Sequence, residues 1–357
     1  MSSRQAEPVT SIVMGIFMGW LTLLPLPGPG AVAVCGVLAL LLALWIDRQF
    51  GEPPVAIHPV VWMGHYLAWC GQRLVRCPPA PAFGLGALAW CVGAAVTGLV
   101  ALGLQTLLLW QVGRAGSAMG WADWAGAALL LAGFSGGLKT MLSWRMLHRE
   151  VLAVENALCQ SLGAGRERLG WLVSRDTAAL SASEVRESAI ESLAENLNDS
   201  VVAPIFWFVL FGLPGAAVYR FANTADAMWG YRGMRHGQTW EWAGKWAARA
   251  DDVLSWLPAR FTAWLIVAVT PGVRFSALRA QARLTPSPNS GWPMAAMAMA
   301  IGIRLGKPGI YTLNASGRAP DAGDTLQSIK KASNVLLVLV FVDFIAIVII
   351  AFYRAGQ

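Results

Sequence analysis

The chain has little charge: only 13% of its 357 residues are Asp, Glu, Lys or Arg. Soluble domains carry about 25% charged residues, so this shortage excludes a disordered protein and argues against most soluble enzymes. Hydrophobic residues make up 56% of the chain, and the mean hydropathy is +0.52. These values favour a polytopic integral membrane protein. The fold class we predict is all-α, with long helical loops on the cytoplasmic side and re-entrant segments.

Cysteine is also scarce, and none of the five copies forms a Cys-x-x-Cys pair. We therefore expect neither a zinc site nor a disulfide framework. The chain lacks a GxxxxGK[S/T] loop, a GxGxxG turn and an HExxH helix, so any nucleotide site differs from a standard P-loop or Rossmann site. The net charge of +7, in so apolar a chain, indicates anionic lipid and phosphate ligands and not nucleic acid.

Apolar runs organise the chain. They lie at about 11–26, 31–46, 84–109, 125–142, 201–219, 261–273 and 333–353. A spanning helix needs roughly 20 apolar residues, and the runs at 84–109 and 333–353 meet this length easily. The positive-inside rule places the basic loops 47–83 and 139–200 in the cytoplasm. The runs at 201–219 and 261–273 are short, and we interpret them as membrane-buried segments, with simple spans as the alternative.

This pattern divides the chain into five predicted parts. They are an N-terminal membrane hairpin (1–46), a first catalytic loop (47–83), a transmembrane helix pair (84–142), a cytoplasmic-side catalytic region (143–332) and a C-terminal transmembrane helix (333–357). Most charged residues lie in the fourth part, so we expect most of the chemistry there.

The sharpest chemical pattern is an acidic helix. Ser181-Ala-Ser-Glu184 matches a capping box that opens it. The carboxylates that follow are spaced by three or four residues and so share one helical face: Glu187, Glu191, Glu195 and Asp199. A solvated acidic face is the usual interpretation, but this stripe runs into an apolar segment, where unpaired carboxylates are costly. We therefore predict a Mg²⁺ site, because Mg²⁺ prefers oxygen ligands.

Three further polar clusters border apolar runs. They are Asp47 to Glu52 with His58, then Asn223 and Asp226 with Asp251, Asp252 and Arg260, and finally Ser287 to Pro293. A membrane-edge anchor and a stiff turn are the ordinary interpretations of the first cluster. The third is a compact polar loop whose backbone N–H groups, with Arg nearby, can hold phosphate.

Six segments, taken in order, resemble one family. They are DRQFGEPPVAIHPVVWMGHYL (47–67), VSRDTAAL (173–180), ESAIESLAENLNDSVVAPIFW (187–207), FANTADAMWGYR (221–232), ADDVLSWLPARFTA (250–263) and SPNSGWPMAAMAMAIGIRLGKPGIY (287–311). These segments resemble the motifs of the cobalamin-biosynthesis membrane proteins called CobD or CbiB. The likeness covers about 47–311, and Ser200 stands where we expect Gly in the family pattern.

The resemblance implies an activity and a location. The activity is ligation of adenosylcobyric acid, through its ring-D propionate, to (R)-1-amino-2-propanol or its O-phosphate, which gives adenosylcobinamide or its phosphate. ATP and Mg²⁺ are the implied cofactors, and the corrinoid is a substrate. The implied location is the bacterial inner membrane, with the active site facing the cytoplasm and other late cobalamin-pathway enzymes as partners.

Two other functions fit parts of the same pattern. A corrinoid-binding or transporting membrane protein without ligase activity is the first, and Asp343 within the last apolar run favours it, because an intramembrane acid is a functional candidate. A polytopic phosphotransferase with an Asp-rich Mg²⁺ site is the second. It fits the acidic helix but not the order of the six motifs.

Amide ligation needs carboxylates for Mg²⁺, basic groups for phosphate and a base for the ammonium. For the metal we predict Glu187, Glu191, Glu195, Asp199, Asp226, Asp251 and Asp252. As catalytic residues we predict His58, Arg175, Asp176, Glu191, Asn196, Arg232 and Arg260. As cofactor-binding residues we predict Asp47, Glu52, Asn223, Tyr231, Ser287 and Asn289.

Overall fold

Helices form most of the described chain, with very little strand, which confirms the predicted all-α class. The computed structural model describes residues 29–113, 121–235, 237–270 and 272–355. Its helices are α1 (Pro29–Phe50), α2 (Pro59–Leu74), α3 (Pro79–Gly113), α4 (Trp121–Lys139), α5 (Trp144–Gln160), α6 (Leu162–Leu169), α7 (Ala182–Leu197), α8 (Ala203–Trp229), α9 (Lys245–Leu254), α10 (Trp256–Ala268), α11 (Phe275–Ala282), α12 (Gly291–Ile301) and α13 (Ala322–Ala355).

Short elements connect these helices. A 3₁₀ turn (Val55–Ile57) precedes α2, and a π-helical turn (Asn198–Val202) joins α7 to α8. Two small antiparallel hairpins complete the described chain: β1 (Met234–Arg235) with β2 (Gln238–Thr239), and β3 (Leu305–Lys307) with β4 (Tyr311–Leu313).

Within the described residues, four helical stretches are long and apolar enough to cross a membrane: Val32–Phe50, Pro79–Gly113, Ala125–Gln160 and Ala182–Trp229. Helix α3 alone has 35 residues, or about 52 Å at 1.5 Å per residue, against a hydrocarbon core of roughly 30 Å. Apolar side chains such as Leu99 and Val100 point outward from it, at 64% and 70% exposure, as expected of a surface in contact with lipid. The apolar run predicted at 11–26 lies outside the described residues.

The two short apolar runs form helices of different kinds. Helix α8 is interrupted at Gly212, whose φ of 69° separates two helical halves. The N–H of Leu213 that this break frees donates to Oε1 of Gln105 in α3 at 2.9 Å, so the backbone is satisfied inside the protein, as membrane depth requires. Helix α10 has 13 residues and is about 20 Å long, too short to cross. The re-entrant topology of these runs stays a prediction.

Helix α7 is packed on all sides. It contacts α5, α6, α12, α13 and strand β3, and its apolar side chains Ile190, Leu193 and Leu197 have no exposed surface. Helix α8 packs against α2, α3 and α9. The acidic stripe on α7 therefore lies inside the protein, and the interpretation of it as a solvated face is wrong.

Candidate functional site

The predicted capping box opens α7 and is confirmed. The N–H of Glu184 donates to Oγ of Ser181 at 3.3 Å, and the N–H of Ser181 donates to Oε2 of Glu184 at 2.7 Å. This reciprocal pair fixes the start of the helix and therefore the direction of the stripe. Along that face, Glu187 and Glu191 are only 5% and 2% exposed, while Glu195 remains partly exposed.

Basic side chains meet the first two carboxylates of the stripe. Nη2 of Arg175 donates to Oε2 of Glu191 at 2.9 Å, and Nε of Arg304 donates to Oε1 of Glu187 at 3.2 Å. The Glu191 carboxylate is only partly hydrogen-bonded, because its Oε1 is buried and has no hydrogen-bond partner in the described chain. One carboxylate oxygen is thus left open to a ligand.

The β3–β4 hairpin faces the same stripe. Lys307 interacts electrostatically with Glu191 and Glu195, and the Tyr311 hydroxyl lies beside Glu191. Burial, and then the negative charge of Glu191, raises the pKa of Tyr311 above its ordinary value. The hydroxyl therefore stays protonated and able to donate a hydrogen bond, while Lys307 supplies positive charge.

The π-helical turn redirects the end of the stripe. Oδ1 of Asn198 accepts a hydrogen bond from Oγ1 of Thr262 in α10 at 2.9 Å, and Nδ2 of Asn198 donates to Oδ1 of Asp199 at 2.7 Å. Such turns interrupt the α-helical repeat and are frequent at functional sites. Asp199 consequently interacts with carboxylates of the next two helices, Asp226 and Asp251.

Asp199, Asp226, Asp251 and Asp252 form an aspartate cluster, carried by the π-helical turn, α8 and α9. Burial, followed by the charges of Asp199 and Asp226, raises the pKa of Asp251 well above its usual value, against an opposing effect of Asn223. Burial also raises the pKa of Asp252. Since like charges oppose ionisation here, a bound cation would stabilise the cluster.

The carboxylates suit a Mg²⁺ ion that substrate phosphates also bind. In the part of the chain that the structure describes, no group of three His, Cys, Asp or Glu side chains is arranged to hold one ion. The seven predicted ligands therefore do not form one preassembled coordination sphere. Buried oxygens nevertheless lack hydrogen-bond partners on both Glu191 and Asp251, and Mg²⁺ is usually held by one or two carboxylates plus substrate phosphates.

Three residues of the first polar cluster, Asp47, Glu52 and His58, lie together near Lys139 of α4. Its Nζ lies 2.7 Å from Oε2 of Glu52 and 3.3 Å from Oδ1 of Asp47, and Nε2 of His58 lies 3.1 Å from Oε2 of Glu52. Because Nδ1 of His58 accepts the N–H of Val60 at 3.2 Å, the ring proton is assigned to Nε2, facing Glu52. This arrangement makes Glu52, and not His58, the available base of the pair.

The loop before α12 is tied to the aspartate cluster. Nη1 of Arg260 donates to Oδ1 of Asn289 at 3.1 Å, and Nδ2 of Asn289 donates to the backbone oxygen of Asp252 at 2.8 Å. The structure therefore brings Arg260 and Asn289 to the site. Ser287 has a local role, because its Oγ accepts the N–H groups of Asn289 and Ser290.

Other predicted site residues use their polar groups locally. Asp176, Asn196 and Tyr231 each hydrogen-bond to a backbone group two to four residues away. Arg232 is exposed and reaches the cluster only through its charge, which lowers the pKa of Asp252 against burial. The hydrogen bonds of Asp176, Asn196 and Tyr231 are therefore local and do not tie these side chains to the charged centre of the site.

Five residues at or beside the site were missed by sequence reasoning: Lys139, Arg220, Arg304, Lys307 and Tyr311. Lys139 and Arg220 lie at the ends of apolar runs, where a charged side chain is energetically unfavourable. Their position in the sequence could therefore have marked them as functional candidates. The other three lie inside the segment 287–311, but no spacing rule links the β3–β4 hairpin to a helix more than a hundred residues earlier.

Comparisons with known proteins identify a family. Residues 40–338 match the family model described as CobD/Cbib protein. The probable cobalamin biosynthesis protein CobD of Methanothermobacter thermautotrophicus is 36% identical over 307 residues, covering 84% of this chain and 94% of that protein. The protein of the same name from Pyrococcus furiosus is 37% identical over 312 residues, covering 87% and 97%. The cobalamin biosynthesis protein CobD of Chromobacterium violaceum is 37% identical over 270 residues, covering 74% and 80%. No solved structure matches the chain.

Proposed function

Because the chain belongs to the CobD/CbiB family and has a role in cobalamin biosynthesis, we propose that it is the ligase that joins adenosylcobyric acid to an amino alcohol. The amine is (R)-1-amino-2-propanol or its O-phosphate, and the product is adenosylcobinamide or its phosphate. ATP is the co-substrate that drives formation of the amide bond.

The observation that carries this proposal is the buried site of mixed charge at the junction of α7, α8 and α9. One carboxylate oxygen on Glu191 and one on Asp251 have no hydrogen-bond partner in the described chain. Both carboxylates belong to one electrostatic network with Arg175 and Lys307, which is linked through Glu195 and Asp199. Charge neutralisation and positioning are the main demands of phosphoryl transfer. A site that combines carboxylates and cations in this way supports both the nucleotide and its metal.

The chemistry needs two steps, because a carboxylate is a poor acyl donor at neutral pH. In the first, the propionate oxygen attacks the γ-phosphorus of ATP, the bond from that phosphorus to the β–γ bridging oxygen breaks, and an acyl phosphate forms as ADP leaves. In the second, the amine nitrogen attacks the acyl carbon and the C–O bond to phosphate breaks. Mg²⁺, when bound, supplies charge neutralisation on the phosphates.

The residues of this chain divide these tasks. Glu191 and Asp251 would hold the metal through their open oxygens. Arg175 and Lys307, which reach the stripe from its sides, would neutralise phosphate oxygens. Glu52, the available base beside His58, would take the proton that the ammonium must lose before it attacks.

Membrane location is part of the proposal. We place the α7–α8–α9 site on the cytoplasmic side of the bacterial inner membrane, where ATP and the corrinoid are present, and other late cobalamin-pathway enzymes would meet it there. A single-cysteine variant in the segment 220–260, labelled in intact cells by an impermeant maleimide, tests this. Cytoplasmic placement predicts no labelling until the membrane is opened.

The assay that tests the activity uses the full chain purified in detergent, with adenosylcobyric acid, ATP, Mg²⁺ and either amine. We expect the corrinoid mass to rise by that of the amine minus water, only when ATP is present. An unchanged corrinoid mass under all conditions would contradict the ligase.

A corrinoid transporter is the second candidate, and Asp343 favours it. This acid in α13 is 4% exposed, and its Oδ2 has no hydrogen-bond partner in the described chain. A charge path through the membrane would use such a residue. Uptake of adenosylcobyric acid into proteoliposomes without turnover, abolished by Asp343→Asn, would favour transport over ligation.

A further inference from the structure

Helix α2 has two faces of different chemistry. Its inner face packs against α3 and α8 and consists of five buried residues: Met63, Leu67, Cys70, Gly71 and Leu74. Its outer face is exposed, continues just past the end of the helix, and consists of side chains three or four residues apart: Trp62, His65, Trp69, Arg73 and Arg76. This periodicity is that of an amphipathic helix, but large aromatic side chains stand where a water-facing helix carries small polar or charged ones.

The outer face combines tryptophan with arginine and has no acid. Trp62 and Trp69 are 55% and 58% exposed, and the guanidinium carbon of Arg73 lies 4.0 Å from the centre of the Trp69 ring. The sequence has no Asp or Glu between residues 53 and 122, and neither arginine pairs with a carboxylate among the described residues. Trp concentrates at membrane–water interfaces, and long basic side chains reach from apolar surroundings to the headgroups.

The turn before α2 enlarges the apolar part of this face. Val55 and Ile57 are 70% and 62% exposed. Nε1 of Trp62 donates to the backbone oxygen of Ala56, between them, at 3.0 Å, which holds the turn beside the tryptophan. Single exposed apolar residues are ordinary, but a continuous apolar patch next to polar residues marks a membrane or protein interaction site. The outer face is therefore apolar where α2 begins and cationic where it ends.

Helix α3 shows how deep each part of the outer face lies. Residues 75–78 join the two helices, and the Tyr66 hydroxyl donates to the backbone oxygen of Ala89 at 2.8 Å. Helix α2 therefore runs antiparallel to the first turns of α3. Three residues after Tyr66 and three residues before Ala89 the two chains lie at about the same level, so Trp69 is level with Gly86.

The exposed apolar surface of α3 begins at that same level. Large apolar side chains are exposed from Leu85, at 46%, to Leu107, at 55%. This stretch is about 33 Å long at 1.5 Å per residue, which matches a hydrocarbon core of roughly 30 Å. Trp69 therefore lies at the edge of the hydrocarbon. Arg73 and Arg76 lie about 6 and 10 Å farther out, at the depth of the headgroups.

We propose that the outer face of α2 is a binding site for an anionic phospholipid. Arg73 and Arg76 bind the headgroup phosphate, with which planar guanidinium groups form paired hydrogen bonds. Trp69 contacts the glycerol region, and Trp62 with the turn before α2 contacts an acyl chain. A zwitterionic headgroup already carries a cation beside its phosphate, so two unpaired arginines favour a headgroup with net negative charge. The site goes beyond the proposed ligase activity and does not depend on it.

The inner face of α2 connects the lipid site to the helix that carries Asp226. Nε1 of Trp229, at the end of α8, donates to the backbone oxygen of Leu67 at 3.1 Å. A Cβ at Gly71 would come within 2.8 Å of the same Nε1, so α2 and α8 approach too closely for a larger residue there. A ligand that binds only the folded state stabilises that state. We therefore expect anionic lipid to raise the unfolding temperature of the protein.

The test uses Trp69 as the reporter. The full chain is reconstituted in phosphatidylcholine vesicles that contain increasing amounts of brominated phosphatidylglycerol or brominated phosphatidylcholine, and bromine quenches tryptophan fluorescence on contact. Subtracting the same titration of Trp69→Phe leaves the quenching that belongs to Trp69. Half of that quenching should need about fivefold less brominated phosphatidylglycerol than brominated phosphatidylcholine, or less still, since each basic residue near an anionic surface strengthens binding about fivefold.

Three double variants separate the site from general charge. Arg73→Gln with Arg76→Gln should make the two brominated lipids equivalent at Trp69. Arg73→Lys with Arg76→Lys keeps both charges and should retain part of the preference. The matched control is Arg149→Gln with Arg279→Gln, which removes two exposed arginines of α5 and α11 and should keep the preference in full.

Four results would overturn the lipid site. They are equal quenching by the two lipids in the wild type, a preference that survives Arg73→Gln with Arg76→Gln, an equal loss of preference in the matched control, and no quenching of Trp69 by either lipid. The second would assign the arginines to a protein partner, the third would reduce the effect to net charge, and the fourth would place the outer face in water.

Thermal unfolding in the same vesicles, without bromine, tests the site without a fluorescent reporter at Trp69. Phosphatidylglycerol should raise the unfolding temperature of the wild type above its value in phosphatidylcholine, and Arg73→Gln with Arg76→Gln should remove that difference. If the arginines only hold α2 in place, the variant unfolds earlier in both lipids, the difference between lipids is kept, and the site is refuted. Neither measurement uses ATP or a corrinoid, so failure of the lipid site and failure of the ligase proposal are distinguishable.

Discussion

Two buried glutamates on neighbouring helices differ in how many hydrogen bonds their carboxylates accept. Glu155 and Glu191 are 4% and 2% exposed. Glu155 receives two hydrogen bonds from Nε of Arg186, at 2.9 and 3.2 Å, one from its Nη2 at 2.7 Å, and one from Oγ1 of Thr325 at 2.8 Å. Glu191 receives one from Arg175, and its second oxygen has no hydrogen-bond partner in the described chain.

The difference separates a structural pair from a binding site. The Glu155 network ties α5, α7 and α13 together without any ligand, because each charge is matched by a partner within the protein. The stripe on the other face of α7 is matched only in part, and the aspartate cluster beyond it raises the pKa of Asp251 through burial and like charge. Carboxylates whose negative charge is matched only in part by the protein are expected where a bound ligand supplies the remaining positive charge.

The largest effect should come from Glu191→Gln. This change removes a charge that we assign to Mg²⁺–ATP, so kcat/KM for ligation should fall about 1000-fold while the protein still inserts and folds. Mass spectrometry of the corrinoid measures the loss. The matched control is Glu167→Gln, an exposed carboxylate in α6. Activity near the wild-type value in Glu191→Gln would remove this residue from the site.

Glu155→Ala should show the opposite pattern. Removing one partner of a buried ion pair leaves Arg186 unmatched, so the free energy of unfolding should fall by about 3 kcal/mol. Activity per folded molecule should stay near the wild-type value. Thermal unfolding in detergent and specific activity below the transition measure the two quantities. A stable variant that had lost its activity would place Glu155 in the catalytic site.

Asp251 should give the ligand-free protein a characteristic pH dependence. Its pKa is raised above the ordinary 3.8, so the folded state binds its proton more tightly than the unfolded state does. Its stabilising contribution is therefore present below about pH 4 and is lost as pH rises through the raised pKa. Thermal unfolding temperature should decline over that range, and Asp251→Asn should flatten the decline. An unchanged slope in Asp251→Asn would show that the aspartate cluster is not repulsive.

The smallest effect should come from Arg304→Gln. Its side chain is 46% exposed, although it contacts Glu187 at 3.2 Å, and exposed pairs contribute at most about 1 kcal/mol. We expect KM for ATP to rise no more than about fivefold. Arg175 pairs with Glu191 and is more buried than Arg304, so Arg175→Gln should raise KM for ATP further. A larger rise in Arg304→Gln than in Arg175→Gln would instead place the phosphate site near β3.

The sequence was informative wherever the pattern is local. The capping box at Ser181 and the acidic face of α7 were both visible, because each depends on neighbours within one or two helical turns. The redirection of Asp199 by the π-helical turn was not visible, since it depends on Thr262 of a distant helix.

Long-range pairing was hidden for the same reason. Lys139 and Glu52 are 87 residues apart, and only packing brings them into contact. The predicted magnesium site was specified by residue type but not by geometry, because a stripe on one helix does not reveal which oxygens remain open. That information comes from partners such as Arg175 and Arg186, which the fold assigns to different glutamates.

We propose that Glu191 and Asp251 hold Mg²⁺ through carboxylate oxygens that have no hydrogen-bond partner in the described chain. Electron paramagnetic resonance of Mn²⁺, used as a substitute for Mg²⁺, tests this claim most directly. No group of three ligating side chains is assembled in the described chain, so we expect Mn²⁺ to bind the full-length protein only when a non-hydrolysable ATP analogue is present. That binding should be lost in Asp251→Asn and in Glu191→Gln and kept in Glu155→Gln. Tight Mn²⁺ binding without nucleotide, or binding that survives both substitutions, would contradict the account.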